Sequence, residues 1–427
     1  MKTLQKISGW ANYPIVEAEV TSPQDIEGVR RCILANEQII ARGNGKSYGD
    51  ASLGHRVIST LGLREILDFD PVAGVISCQA GVLLSDLLPT IVPAGWFFHV
   101  TPGIKQVTIG GAIASDVHGK NHPLKGCFSD WLVSFELITA EGDIVVCSRH
   151  QNTSLFWQTC GGMGWTGIIL SACFQLQRVP SSRMRQKTIQ CHSLDGLFQA
   201  MEQRRPESYA AGWIDTTSKG SRMGQGAVHL AEHLVEDTPI QWLEAPKTNI
   251  PVFAPKWLLN PMSIRAFNAL YFHKNKNAEK VVTMDAYFYP LDALRNWNRL
   301  YGRRGFIQYQ FCLPENNAFD GIRRLLEVVG KSPEVPFLSV LKKHGERASN
   351  AVNTFPIKGY SLALDFPRTP TIFRLVEKLD DLVWHLGGKI YLTKDACSNP
   401  KMGGINPSEF GHPKFYSALR TRISPIH

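Results

Sequence analysis

The stretch ARGNGKSYGD, Ala41 to Asp50, crowds Gly43, Gly45 and Gly49 around Gly-Lys-Ser. It is not a nucleoside-triphosphate loop. That motif requires a glycine five residues before the Gly of Gly-Lys-Ser, and Ile40 occupies the position. Nor is it the G-x-G-x-x-G of a dinucleotide fold, because the spacing from Gly45 to Gly49 is one residue too long. What precedes it is informative. PIVEAEV reads as a strand. TSPQDIEGVRRCILAN reads as a helix capped by Thr21 or Ser22, with Pro23 in its first turn and Ile26, Val29, Ile33 and Leu34 on one face. EQIIA reads as a buried strand. A β-α-β unit feeding a glycine-rich turn presents backbone N–H groups to an anion.

The chain has 427 residues, enough for two domains, and its 44% hydrophobic content can build a large core. Net charge is +9, which fits either an anionic ligand or a mildly basic enzyme. No Lys/Arg run exceeds two residues, so nucleic-acid binding is not expected. Nine scattered cysteines form no C-x-x-C pair, so no metal site is read and reduced, buried thiols are expected. The N-terminus lacks a secretory core and no apolar run is long enough to span a bilayer. A cytoplasmic location follows, with peripheral contact at the inner membrane face left open.

RVIST is read as a strand, EILDFD with GVISCQA as a hairpin, and LLSDLLPTIVPAG as a short helix. LITAEGDIVVC is a second hairpin, turned at Glu141-Gly142. From about residue 182 the texture changes. YAAGWIDTT, AVHLAEHL, VVTMDAYFY, FIQYQFCL, PFLSVLKKH and YSLALDFP are strand-like, while SLDGLFQAMEQRR, FDGIRRLLEVVGK and TIFRLVEKLDDLVWHLGG are helical. These make an α+β second domain, one antiparallel sheet with flanking helices. The segment at 240–280, with prolines, bulky apolar residues and lysines, reads equally as an exposed, lipid-facing flap or as a packed connection.

Two further glycine clusters follow β-like segments: TPGIKQVTIGGAIASDVHGKNH (Thr101–His122) and CGGMGWTGII (Cys160–Ile169). One cluster can be turns alone. Three suit a dinucleotide cofactor, whose pyrophosphate, ribose and rings all need close backbone approach.

These loops resemble the FAD-binding (PCMH-type) domain of the vanillyl-alcohol oxidase superfamily. Within it, DVHGKNH and YLTKD, with YAAGWIDTTSKG, GFIQYQFCLPENN and FPIKGYSLALDFP, are similar to the decaprenylphosphoryl-β-D-ribose 2′-oxidase family. The resemblance implies a two-subdomain FAD domain at 1–180, a substrate domain at 181–386 and a C-terminal return at 387–427. It implies hydride transfer to flavin N5 from a secondary hydroxyl of a polyprenyl-phosphate pentose, giving a ketone. A partner short-chain reductase would complete an epimerisation in cell-envelope biosynthesis. Two alternatives stay open: a soluble aldonolactone or alditol oxidase, and a non-catalytic FAD-binding partner protein.

The resemblance assigns cofactor contact to Arg42, Gly43, Asn44, Gly45, Lys46, Ser47 and Tyr48 in the first loop. In the second it assigns Gly103, Thr108, Ile109, Gly110, Gly111, Ala114, Asp116, His118 and Gly119. Gly164, Gly167 and Ile168 serve in the third, with Tyr391 from the tail. Where many relatives attach FAD through a histidine this chain has Lys46, and no cysteine stands near Ile104, so the FAD is expected to be non-covalent. Lys394, His118 and Tyr48 are the catalytic candidates. Alone, Lys394 would read as a surface lysine at a strand end; by the resemblance it meets the flavin and the substrate. Gln308 and Gln310, two apart, point to one sheet face, toward sugar hydroxyls or another backbone. Lys342 meets the substrate phosphate or sugar, or is solvated beside Lys343.

Overall fold

The strand-helix-strand opening forms one half of a four-stranded sheet. The structure, a computed structural model, describes residues 2–203, 209–236, 239–346, 350–399, 402 and 406–424. The sheet runs, in spatial order, Lys2–Ser8, Ile15–Thr21, Arg56–Ser59 and Ile40–Arg42. Its first pair is antiparallel and the other two are parallel. The helix Ile26–Leu34 crosses over between strands, but its cap is Asp25, whose side chain accepts from the Gly28 N–H. Thr21 cannot serve, because it is still paired in the sheet with Lys2 and Ile58. Val29 and Ile33 are buried as expected, whereas Leu34 is exposed.

A second sheet is antiparallel throughout, in the order Ile66–Asp70, Val75–Gln79, Ile168–Arg178, Leu132–Ile138 and Ile144–Ser148. Trp96–Phe98 pairs with the far end of the long Ile168–Arg178 strand. Both hairpins read from the sequence are present here.

The third sheet has eight antiparallel strands: Ala278–Thr283, Arg183–Cys191, Gly226–His233, Tyr209–Ile214, Leu338–His344, Gly359–Pro367, Phe306–Pro314 and Lys389–Ile390. Helices Leu194–Glu202, Glu315–Gly330 and Ile372–His385 share a hydrophobic core with one face of it. The end of the first helical segment, Arg204 and Arg205, lies outside the described residues. Arg183–Cys191 has no counterpart in the sequence reading, since Arg183, Arg185 and Lys187 hide its alternation. VVTMDAYFY is strand only to Thr283. That threonine accepts from the Ala286 N–H and starts a helix, Met284–Phe288. The mixed α+β architecture is thus as expected.

The 240–280 segment contains the helix Pro261–Lys274, opened by an Asn260 capping box. It packs through Ile264, Asn268 and Phe272, while Met262 and Leu270 are left exposed with Trp257 nearby. It is therefore a packed connection on its inner edge and open on its outer one. No helix among the described residues is long and apolar enough to cross a membrane. All nine cysteines are free thiols.

After Lys389–Ile390 the chain crosses back to the first sheet. Phe415 bridges to Ile39, and Leu419 and Ile423 pack with Ile40 and Val57. Arg422 closes this return. Its guanidinium meets Asp50 at 3.1 Å and Asp395 at 2.8 Å, and donates to the Ser398 carbonyl at 2.9 Å. Both carboxylates are buried. Removing one partner of such a cluster leaves uncompensated buried charge, which costs about 3–5 kcal/mol. Arg422→Met should lower stability to urea by that order, read as a shift in the denaturation midpoint. A midpoint within experimental error of wild type would show that the clamp is dispensable.

Candidate active site

The three glycine loops converge on one cavity of about 640 Å3. Gly43 through Gly49 lie in neither helix nor strand, and none of their N–H groups donates to a protein acceptor among the described residues. A run of unclaimed amides on a tight turn is an anion nest. Gly45 holds the turn with φ +61°. The second loop abuts the first at Gly43, where a Cβ would stand 2.2 Å from Thr108 Oγ1. Thr108 also caps the short helix Ile109–Ala114, accepting from the Gly111 N–H at 3.2 Å. The third loop hangs from that helix: Gly161 N–H donates to Ile113 and Met163 N–H to Ala114, at 2.9 and 3.0 Å. Gly103 faces open space, with no protein atom within 4 Å of its absent Cβ. Unclaimed amides, missing side chains and Lys46 at one wall fit a pyrophosphate and its attached rings.

The cavity's opposite wall is one face of the eight-stranded sheet. Because side chains alternate, register decides which residues share that face. Gln310 lies opposite Ala363, Ala363 opposite Val340, and Val340 opposite Trp213; Lys342 pairs with Ser361. All of these line the cavity with Gln308. Lys343, one residue on, points to the other face and reaches Glu202.

Most of the expected residues are brought together. Gly43, Asn44, Gly45, Lys46, Ser47, Tyr48, Gly103, Thr108, Gly110, Gly111, Ala114 and His118 line the cavity. So do Gly164, Gly167, Ile168, Tyr391, Gln308, Gln310, Lys342 and Lys394. Four others do not. Arg42 folds back to the Ser8 carbonyl at 2.6 Å and shapes the first loop from behind. Ile109 is core. Asp116 is fully buried with φ +40°, and its carboxylate accepts from the Ser129 N–H at 3.1 Å. Gly119 is packed against Asn121 and Thr101. These four are structural supports of the loops, which local sequence spacing cannot separate from wall residues.

Lys394 follows a turn closed by its own N–H on the Tyr391 carbonyl, and its Nζ lies 4.8 Å from the Tyr48 ring centroid. Burial drives its pKa down to about 7, and Lys342 adds to the effect. Asp365 opposes it. That carboxylate is pushed up to about 7 by its own burial and accepts from the Gln308 amide, directly across the ladder. Gln310 Nε2 stands 3.2 Å from His118 Nε2. Burial, then the lysines and neighbouring histidines, hold His118 well below its usual range, so it is neutral at pH 7. Burial also lowers Lys342 to about 8 and Lys46 to about 8, the latter 3.6 Å over the Trp10 ring.

Several residues in the wall or directly behind it carry no local sequence signal. Lys120 lies inside DVHGKNH, where nothing local distinguishes it from its neighbours; burial and Lys342 bring it to about 7. Asp365 becomes visible only through its pairing with Gln308. Lys274 and Lys280 sit in a mixed-charge run that resembles ordinary surface. Six lysines therefore line the cavity: Lys46, Lys120, Lys274, Lys280, Lys342 and Lys394. No aspartate or glutamate among the described residues does.

An unfolded lysine titrates near 10.4. Between pH 7 and 10 the unfolded chain therefore keeps a proton that folded Lys394 has lost. The cost of burying this cation is complete below pH 7 and fades as pH rises. In the substrate-free protein Lys394→Met should raise stability by about 1–3 kcal/mol at pH 7. The gain should shrink by pH 9.5 in thermal unfolding. A variant less stable than wild type at both pH values contradicts this reading.

Comparison with known proteins agrees with the geometry. Residues 14–148 match an FAD binding domain. The chain is 32% identical to decaprenylphosphoryl-β-D-ribose oxidase of Mycolicibacterium smegmatis, over 92% of this chain and 89% of that protein. It is 30% identical to an uncharacterized protein of Streptomyces coelicolor, over 75% of this chain and 91% of that one. L-gulonolactone oxidase of Bos taurus is 28% identical over 43% of this chain and 42% of its own length. With an FAD domain at its N-terminal end and a likeness that runs through both walls of the cavity, this chain is an FAD-dependent oxidoreductase that belongs to the decaprenylphosphoryl-β-D-ribose oxidase family.

Proposed function

We propose that the chain oxidises a secondary hydroxyl of a pentose carried on a polyprenyl phosphate, producing a ketone that a separate reductase consumes. One observation carries this reading: among the described residues six lysines and no carboxylate line the cavity, and Asp365, which opposes Lys394, does not itself line it. Each buried cation without a counter-charge costs stability. The pyrophosphate nest and Lys46 account for one anion. Lys342 on the sheet wall, Lys394 from the tail and Lys120 from the second loop remain, and a sugar esterified to phosphate supplies the second. A neutral alditol or lactone leaves Lys120 and Lys342 unmatched, and the likeness to gulonolactone oxidase covers less than half of the chain.

Bound FAD supplies the hydride acceptor. The protein's part is to hold and orient the sugar and to manage its proton. Gln308 and Gln310, fixed by Asp365 and His118, present amides to hydroxyl groups. Gln308 Oε1 is buried with no partner among the described residues, an acceptor for one of them. Lys394, with a pKa near neutrality, takes the hydroxyl proton when neutral and stabilises negative charge once protonated. Tyr48 forms the wall beneath it, packed on Trp297 and Phe306. Lys46 in place of the attachment histidine leaves the flavin non-covalently held.

Anaerobic mixing with a panel of pentose and hexose polyprenyl phosphates should bleach the flavin for a pentose. Bleaching by free alditols alone would overturn the assignment. Lys394→Ala should keep its flavin yet slow bleaching by about 10²–10³, the size of effect when one preorganised charge-stabilising group is lost. Acid precipitation should leave all yellow colour in the supernatant; colour in the pellet would mean a covalent bond.

A further inference from the structure

The cavity does not end at the Lys394 wall. It continues across the sheet to Gln186, Trp213, His229, Lys280 and the end of the Pro261–Lys274 helix. Lys280 lies opposite Gln186, and the Gln186 amide meets His229 Nδ1 at 3.2 Å. Thr188 Oγ1 meets the same nitrogen at 3.1 Å, which leaves Nε2 as the other polar atom of the ring. Lys120 and Lys280 both act on this ring, which burial and their charge hold near 4. Lys274 and Lys280 are exposed yet line the cavity, so this end opens to solvent. Glu279, next to Lys280, is paired with Arg185 on the other face of the strand. The cations here have no carboxylate opposite them among the lining residues.

Apolar surface adjoins the same opening. Trp213 and Tyr271 meet edge to face, with ring centroids 4.7 Å apart. Phe267 stacks on Tyr271 at 5.7 Å and is itself partly open to solvent. Leu270, one helical position away, is exposed. The aromatic run thus leads from inside the cavity to an open apolar helix edge.

We propose that this opening is an amphiphile subsite: Lys120, Lys274, Lys280 and His229 bind the substrate's phosphodiester, and Trp213 and Tyr271 receive the first prenyl units. The subsite rests on the function argued above but is tested separately from it. It orders the cavity linearly: sugar at Lys394, Gln308 and Gln310, phosphate at the lysines of the opening, and chain out along the Pro261–Lys274 helix. Cations near the phosphate act on binding, since the phosphate does not change in the reaction.

The probe is farnesyl phosphate, titrated calorimetrically into the flavin-loaded wild type and the Lys274→Ala/Lys280→Ala double variant. Both lysines are exposed, so the fold should hold, and an unchanged flavin spectrum checks it. The double variant should bind farnesyl phosphate about tenfold or more weakly, the size of effect expected from losing charged contacts. Lys274→Arg/Lys280→Arg should restore most of the affinity. Farnesol should bind both proteins alike, and inorganic phosphate should bind far more weakly than farnesyl phosphate. Equal farnesyl phosphate affinity in wild type and alanine variant overturns the cationic half; inorganic phosphate binding as tightly overturns the apolar half. Where this pattern holds but no lipid-linked pentose bleaches the flavin, the subsite stands and the sugar assignment falls. Where such pentoses bleach both proteins with the same KM, the subsite falls and the reaction stands.

Discussion

Arg422 is the joint on which the site is assembled. Its guanidinium holds Asp50 on one side and Asp395 on the other. Asp50 ends the first glycine loop, and Asp395 follows Lys394 directly. The fit is so close that a Cβ on Gly49 would lie 1.7 Å from the Asp395 carbonyl oxygen. One buried charge cluster thus sets the distance between an anion nest near the N-terminus and the lysine near the C-terminus. A buried cation serves this purpose because its partners cannot exchange for water without a large desolvation cost.

The remaining geometry comes from the sheet. Antiparallel pairing with a strict two-residue period sends Gln308, Gln310, Lys342 and Ala363 to the cavity, and sends Lys343 away. A slip of one residue would exchange these sets and bury charge against the helices. Pairing also creates contacts that no local pattern contains. Asp365 meets Gln308 only because their strands are neighbours, and His118 reaches Gln310 from the second glycine loop.

The result is a cavity in which Lys120 and Lys342 meet no carboxylate among the described lining residues, while Lys394 is opposed by Asp365, which does not itself line the cavity. Lys120, Lys342 and Lys394 are each lowered chiefly by burial, and Lys342 pushes down both of the others. Their cost falls on the fold, while the benefit appears only when anions enter, the usual relation between stability and a prepared site. His118 and His229 stay neutral in the same field, available to hydrogen-bond without adding charge.

The glycine loops, both hairpins of the second sheet and most strands of the third were legible in the amino-acid sequence, because turn chemistry and two-residue alternation are local. Lys394, Gln308 and Gln310 were legible as candidates through motifs that surround them. Tertiary structure alone separated Arg42, Ile109, Asp116 and Gly119, which support the loops, from neighbours that line the cavity. It alone revealed Lys120, Asp365 and the lysines of the opening, and it identified Asp25 as the helix cap because Thr21 was already committed to the sheet. The reason is common to all of these. Side-chain type and spacing follow from local chemistry, but whether a charge faces a cavity, a backbone carbonyl or solvent depends on chain segments brought together from far apart.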